Sequence, residues 1–302
     1  MSDPPPQFSF LFLGNSYTST NALPGLLNQL LKSLGSRMSK LEEHCPPGKN
    51  FASHIQDSKG EGKRGPDHLL HQWMEAGEDP SSKQHKKWDF CILQNQSLES
   101  GLHASPTGKG NYDAGHAAIS EFCGKIHKYY PESQIIFYMT WGRRSGDNQF
   151  PEDFPDYLTM QSKITAGYNK YADDIGTPEQ PAFVAPVGRV FETIYNDIQK
   201  ETGEAPDAEG TIFHDLYVRD ASHPTLSGSY VACMTIYATL LVVRGGAKAV
   251  GLPSVEELEW VPKDLDANVA AKLRDAVVRT MKVAVEENSL RHPPKDGARE
   301  EL

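Results

Sequence analysis

The stretch Phe8-Ser9-Phe10-Leu11-Phe12-Leu13-Gly14-Asn15-Ser16-Tyr17-Thr18 sets an apolar run directly against a small polar turn. Apolar side chains occupy both alternating sets of positions in the run. It therefore reads as a strand buried on both faces, the habit of strands inside a parallel sheet. Gly14, Asn15 and Ser16 are turn residues. Beyond them Leu23, Leu26, Leu27, Leu30, Leu31 and Leu34 recur at helical spacing. Pro24 falls in the first turn of that helix and Gly35 supplies a C-cap. Strand, tight turn and helix together form the opening of a βαβ unit.

The same alternation continues along the chain. Residues 88–94, 134–140 and 182–187 read as further strands. Helices are expected over 66–77, over a segment ending near Pro131, and over 157–174, 226–243 and 267–286. Ile119, Phe122, Ile126 and Tyr130 mark one face of the second of these, and Val269, Leu273, Val277 and Met281 one face of the last. Residues 226–243 are apolar nearly all round, which predicts a buried helix. The fold class expected is α/β: a three-layer α/β/α sandwich with a central, mostly parallel sheet, flavodoxin-like. Residues 45–65 and 101–113 read as loops. One domain is expected over residues 1–287, with 288–302 a polar, mobile tail.

The composition narrows the function classes. A chain of 302 residues with 38% hydrophobic content can bury a substantial core. A net charge of −10 argues against non-specific binding to nucleic acid or to an anionic membrane, both of which need clustered Lys and Arg. No apolar run is read as a membrane span, and residues 1–7 lack the basic and apolar regions of a signal peptide. Cys45, Cys91, Cys123 and Cys233 are scattered without a CxxC pair, which fits free thiols in a reducing compartment, and a cytoplasmic location is the expectation.

In an open parallel sheet, ligands bind beyond the carboxyl ends of the strands. Ser16 follows the first strand, Gln94-Asn95-Gln96-Ser97 the second, Trp141-Gly142-Arg143-Arg144 the third and Pro186-Val187-Gly188-Arg189 the fourth. Far along the chain, Asp220-Ala221-Ser222-His223 places a carboxylate and an imidazole three residues apart, close enough to come from one turn. A serine, a histidine and an aspartate offer a nucleophile, a base and an orienting acid. The plain alternatives are a turn or N-cap role for Ser16 and a surface role for His223.

These motifs as a set resemble the SGNH (GDSL-like) hydrolases, and in particular a bacterial-type subgroup with a Gly-Asn-Ser-Tyr-Thr nucleophile motif. The matching pieces are Leu13–Thr18, Leu93–Ser97, Ala185–Gly188, Asp220-x-x-His223 and His223–Tyr230, within roughly residues 8–243. The resemblance implies a serine esterase with Ser16, His223 and Asp220 as its triad. Its substrate would be a carboxylic ester, acetyl esters included, of a carbohydrate or small polar molecule, and it would need no cofactor. It also implies an oxyanion hole built from the Ser16 amide, a glycine amide and a side-chain amide. Here the glycine position falls on Gly48, because Pro47 has no N–H to donate. The side-chain amide falls on Gln96, or on Asn95 after a shift of one residue. Two other functions use the same scaffold: acyl transfer to an alcohol, and non-catalytic binding.

Asn15, Trp141 and Arg143 are candidate substrate-binding residues. Asn15 serves equally well as a cap, Trp141 as a sugar-stacking platform or a core residue, and Arg143, with Arg144, as an anion binder or a solvated surface pair. His54 either lines the site or caps a loop. A metal site is not expected, because His68 and His71, with His85 nearby, lack a convergent ligand set. The Asn95-Gln96-Ser97 sequon is read as chance.

Overall fold

The computed structural model describes residues 6–292 apart from 80, 82–86, 106, 109 and 204. Its elements run in chain order as β1 (Gln7–Leu13), α1 (Ser16–Ser19), α2 (Leu23–Ser33), β2 (Arg37–His44), α3 (Phe51–Ser58), α4 (Leu69–Glu78), β3 (Phe90–Leu93), α5 (Ser97–Gly101), α6 (Tyr112–Tyr129), β4 (Gln134–Tyr138), α7 (Tyr157–Ile175), β5 (Ala182–Ala185), α8 (Val187–Thr202), α9 (Leu226–Val243), α10 (Ala247–Val250), α11 (Ala267–Glu286) and β6 (Arg291–His292). The sheet order is β2-β1-β3-β4-β5-β6, parallel throughout except for the antiparallel β5–β6 edge. Five parallel strands in the order 2-1-3-4-5 give the flavodoxin-like α/β arrangement expected.

The period-two rule explains how β1 serves two cores at once. Phe8, Phe10 and Phe12 project to one face, where they meet α2, α8, α9 and α11. Leu11 and Leu13 project to the other, where α3, α4, α6 and α7 cover them. Each Phe removed from water contributes about 2 kcal/mol, so one strand anchors both layers. Helix α9 has the length and apolar character of a membrane span, contrary to the sequence expectation that no segment would. Yet 78% of it is buried inside the fold, packed against α2, α8 and α11.

Several elements depart from the sequence reading. Residues 45–65, expected as a loop, contain α3, which is closed by a capping box between Asn50 and Ser53. Strand β2 was not anticipated. Its burial alternates between exposed and half-buried along its length, because it is a sheet edge carrying Arg37, Lys40, Glu42 and Glu43. Helix α8 begins where only a rim segment was expected. The first part of the segment expected as a mobile tail is ordered: Leu290 is buried and Arg291–His292 pair with β5 as β6. Residues 293–302 lie outside the described residues.

Helix α5 sits on α7 with a glycine at the crossing. A Cβ added to Gly167 would lie 2.0 Å from the Ser100 carbonyl oxygen, a backbone atom that cannot turn aside. Gly167→Ala is therefore expected to destabilise the protein by about 2 kcal/mol, a fall of several degrees in Tm by circular dichroism. A Tm within about 1 °C of wild type would show that the two helices can part freely.

Candidate active site

The carboxyl end of β1 runs into Gly14, whose Cβ, if present, would meet Thr18 Oγ1 at 2.4 Å and Gln94 Oε1 at 2.7 Å. Glycine is needed here for close packing. Gln94, at the end of the neighbouring β3, accepts from the Asn15 amide (2.9 Å) and from Thr18 Oγ1 (2.9 Å) and so pins the turn. Asn15 caps α1 through Oδ1, which accepts from the Tyr17 amide (3.0 Å), while its Nδ2 donates to the Lys49 carbonyl (3.0 Å). His54, fully buried, reaches the Gly14 carbonyl with Nε2 at 2.9 Å. Burial holds its imidazole far below its ordinary value, at about 3, so it donates as a neutral ring.

Ser16 emerges from this framework half-buried, with Oγ 2.7 Å from His223 Nε2. His223 Nδ1 lies 2.6 Å from Asp220 Oδ2. The carboxylate can only accept, so the ring hydrogen sits on Nδ1 and Nε2 is left to accept from the serine hydroxyl. Asp220 Oδ1 takes the backbone N–H groups of both Ser222 and His223, each at 2.9 Å. Burial pushes the Asp220 carboxyl up, but the hydrogen bonds from His223 and Ser222 outweigh it and hold the group below its ordinary value.

The loop bearing Asp220 and His223 is held from below by aromatic side chains. Trp141 Nε1 donates to the Ser222 carbonyl (3.0 Å), and the Tyr17 hydroxyl lies 2.5 Å from Ser222 Oγ. The Trp141 indole stacks between Tyr17 and Phe191, with centroid distances of 4.8 and 4.5 Å. With both faces covered and no exposed surface, Trp141 is a support of the histidine loop. The sugar-stacking reading is thereby corrected. Ala221 adopts φ 58°, a left-handed conformation costly for a residue with a Cβ, and the Arg144 amide holds its carbonyl at 2.9 Å.

A cavity of 490 Å³ opens over Ser16 and His223. Asn15, Gly48, Gln96 and Arg143 all line it. Gly48 sits in the exposed turn before α3 at φ 73°, a conformation that favours glycine. Gln96 caps α5 with Oε1, accepting from the Glu99 amide at 3.1 Å, so its Nε2 hydrogens remain for another acceptor. Asn95 points the other way. It is fully buried, accepts from the Phe51 amide (3.0 Å) and donates to the Tyr171 hydroxyl (3.0 Å). Gln96 thus faces the cavity and Asn95 is turned away from it, with the Asn95 side chain of the sequon buried. Arg143 is ion-paired with the buried Asp147.

Sequence reasoning overlooked the roles of Gln94 and Tyr17, and of Lys49 and Asp57 behind the Gly48 loop. Gln94 was visible as a neighbour of the rim, but its amide contacts depend on β1 and β3 being adjacent. Behind the loop, His44 Nε2 lies 3.0 Å and Lys49 Nζ 2.5 Å from Asp57 Oδ2, with His68 Nε2 at 3.7 Å. His44, Asp57 and His68 are the residue types of a metal site, with ligand atoms within 4.8 Å of one another. Two observations oppose that use. The Lys49 ammonium already occupies the carboxylate, and His68 Nδ1 accepts from the Leu70 amide (3.1 Å), which puts the ring hydrogen on Nε2. His71 is turned to the Ser58 carbonyl, and His85 lies outside the described residues.

No protein-family model matches the chain, and no curated protein does. Among solved structures, the chain is similar to a protein from Parabacteroides merdae provisionally described as a GDSL-like lipase. The identity is 11%, the match covers 83% of this chain and 99% of that one, and the TM-score is 0.46. It is also similar to Axe2, an acetylxylan esterase from Geobacillus stearothermophilus, at 14% identity, covering 87% of this chain and 100% of that one, with a TM-score of 0.46. With identities and TM-scores this low, the reading of the site rests on its own geometry.

Proposed function

We propose that this protein is a serine esterase of the SGNH kind, hydrolysing carboxylic esters through an acyl-enzyme. The single observation that supports the reading most is the relay Ser16 Oγ–His223 Nε2–Asp220 Oδ2, with links of 2.7 and 2.6 Å, at the floor of an open cavity. His223 takes the Ser16 proton as Oγ bonds to the ester carbonyl carbon. The tetrahedral oxyanion is met by the Ser16 and Gly48 amides and by Gln96 Nε2. Collapse breaks the C–O bond to the alcohol, which leaves with the proton from His223. Water, deprotonated by His223, then attacks the acyl-enzyme and frees the acid and Ser16. Asp220 keeps the imidazole in the required tautomer and stabilises its cation.

The cavity's lining is mostly apolar by area, and Asn15, Thr20, Gln96, Ser97 and Arg143 set into it the few polar groups that suit an ester of a carbohydrate or other small polar alcohol. Turnover of p-nitrophenyl acetate and labelling of Ser16 by a fluorophosphonate are the expected results. A folded protein that shows neither would overturn the esterase reading.

The two amides separate by experiment. Gln96→Ala is expected to lower kcat by about 10²-fold while costing about 1 kcal/mol of stability, the size of a lost cap. Asn95→Ala is expected to act mainly on Tm, because it strips a partner from a buried amide N–H and a buried hydroxyl, at about 1–3 kcal/mol each. Kinetics and melting curves on both variants check the assignment. A Gln96→Ala protein with undiminished kcat would remove Gln96 from the oxyanion hole.

A further inference from the structure

We infer that Asp57, on the far side of the Gly48 loop from Ser16, is a positioning residue for the esterase site: it clamps that loop and the nucleophile turn together. The inference rests on the esterase reading for its catalytic consequence, though not for its geometry. Asp57 is 5% exposed and lies in the last turn of α3. Its Oδ2 accepts from Lys49 Nζ and from His44 Nε2. Both donors continue toward Ser16 through their own backbones. The Lys49 carbonyl accepts from Asn15 Nδ2 at 3.0 Å, and the His44 carbonyl accepts from the Gly14 amide at 3.2 Å. Two arms from one carboxylate thus end on the two residues that precede Ser16.

Lys49 follows Gly48 in the chain, so its placement fixes the glycine amide. Its side chain is held on one side of the loop by Asp57 and the Ser53 carbonyl (3.3 Å), and its carbonyl on the other by Asn15. The loop is a wall between two cavities. Pro47 and Gly48 line the one over Ser16, while Pro46, Lys49, Asp57 and His68 line a second of 520 Å³. Gly62 completes the seat of the carboxylate, because a Cβ there would lie 2.0 Å from Asp57 Oδ1. Without the clamp, an ammonium and a carboxylate-oriented imidazole would lose their common partner, and the loop would have open space on both sides. Oxyanion donors act only when held in place beforehand, and a displacement of about 1 Å can cost about 10²-fold in rate.

The test uses Asp57→Asn, which keeps the shape and removes the charge. Lys49→Met, which keeps the stem and the backbone contact, serves as a second variant should the first not fold. Asp57→Glu is the conservative rescue. Deuterium uptake over residues 46–50 and steady-state kinetics on p-nitrophenyl acetate are read on each. The expected result is faster exchange over that segment in Asp57→Asn and Lys49→Met, with kcat lower by about 10- to 100-fold at a KM within about twofold of wild type. Partial recovery in Asp57→Glu is expected, as is a double variant no worse than the poorer single. Wild-type exchange in the folded variants would overturn the clamp whether or not the protein proves to be an esterase. Faster exchange with unchanged kcat would overturn its catalytic role alone. A wild-type protein inert to ester and phosphonate, with the exchange result intact, would instead count against the esterase reading.

Discussion

Ser16→Ala is expected to lower kcat for p-nitrophenyl acetate by about 10⁴- to 10⁶-fold and to abolish fluorophosphonate labelling, with no loss of Tm. The size follows from the chemistry: without Oγ there is no acyl-enzyme, and what remains is whatever rate the cavity and oxyanion donors lend to direct attack by water. The unchanged Tm follows from the contacts. Ser16 Oγ meets His223 Nε2, while the turn is tied by Gly14, Asn15 and Thr18 to His54, Lys49 and Gln94. His223→Ala should be about as damaging, and the double variant should add little, because nucleophile and base act as a unit. Undiminished turnover in a folded Ser16→Ala protein would end the assignment of Ser16 as nucleophile.

Much of the fold was legible because the core-forming segments carry strong periodic signals. In β1, Phe8, Phe10 and Phe12 alternate with Leu11 and Leu13, and α9 and α11 have the bounds their hydrophobic patterns predict. Edges carry weaker signals. Strand β2 exposes or half-exposes every residue, so Arg-Met-Ser-Lys-Leu-Glu-Glu-His shows no apolar stripe, and only its pairing with β1 makes it a strand. Strand β6 is two residues long and exists only through β5.

The candidate site divides along the same line. Ser16 and Asp220-x-x-His223 could be paired from sequence because, with the blocks between them, they resemble the SGNH motif set. The choice between Gln96 and Asn95 could not, because it depends on which neighbour in the sequence points into the cavity and which meets Phe51 and Tyr171. Trp141 shows a further limit. An indole after a strand end has the same local sequence whether it faces a ligand or is sandwiched between rings distant in the chain; here those rings are Tyr17, 124 positions before it, and Phe191, 50 after it. The support residues Gln94, Lys49 and Asp57 act through contacts that cross strands and loops, and no local pattern marks them.

Asp220→Asn isolates the tautomer from the fold of the loop. The asparagine Oδ1 can still accept the Ser222 and His223 amides that Asp220 Oδ1 takes now, so the turn around Ala221 keeps its ties. The other atom facing His223 Nδ1 becomes an NH₂ group, which cannot accept a hydrogen bond from it. The imidazole is then driven to carry its hydrogen on Nε2, toward Ser16, where a general base must be bare. A loss of about 10³-fold in kcat is expected, somewhat short of the ~10⁴ seen where the acid is buried, because water can partly replace an exposed acceptor. The Asp220 side chain is 49% exposed, which makes that smaller figure the appropriate one. Asp220→Ala should differ in kind: it releases both backbone amides and the left-handed Ala221, so Tm falls along with kcat. Steady-state kinetics and melting curves on the two variants separate the contributions. Were Asp220→Asn to keep more than about a tenth of wild-type kcat, the acid's place in the relay would be lost, and His223 would have to be oriented by Tyr17, Trp141 and Ser222 alone.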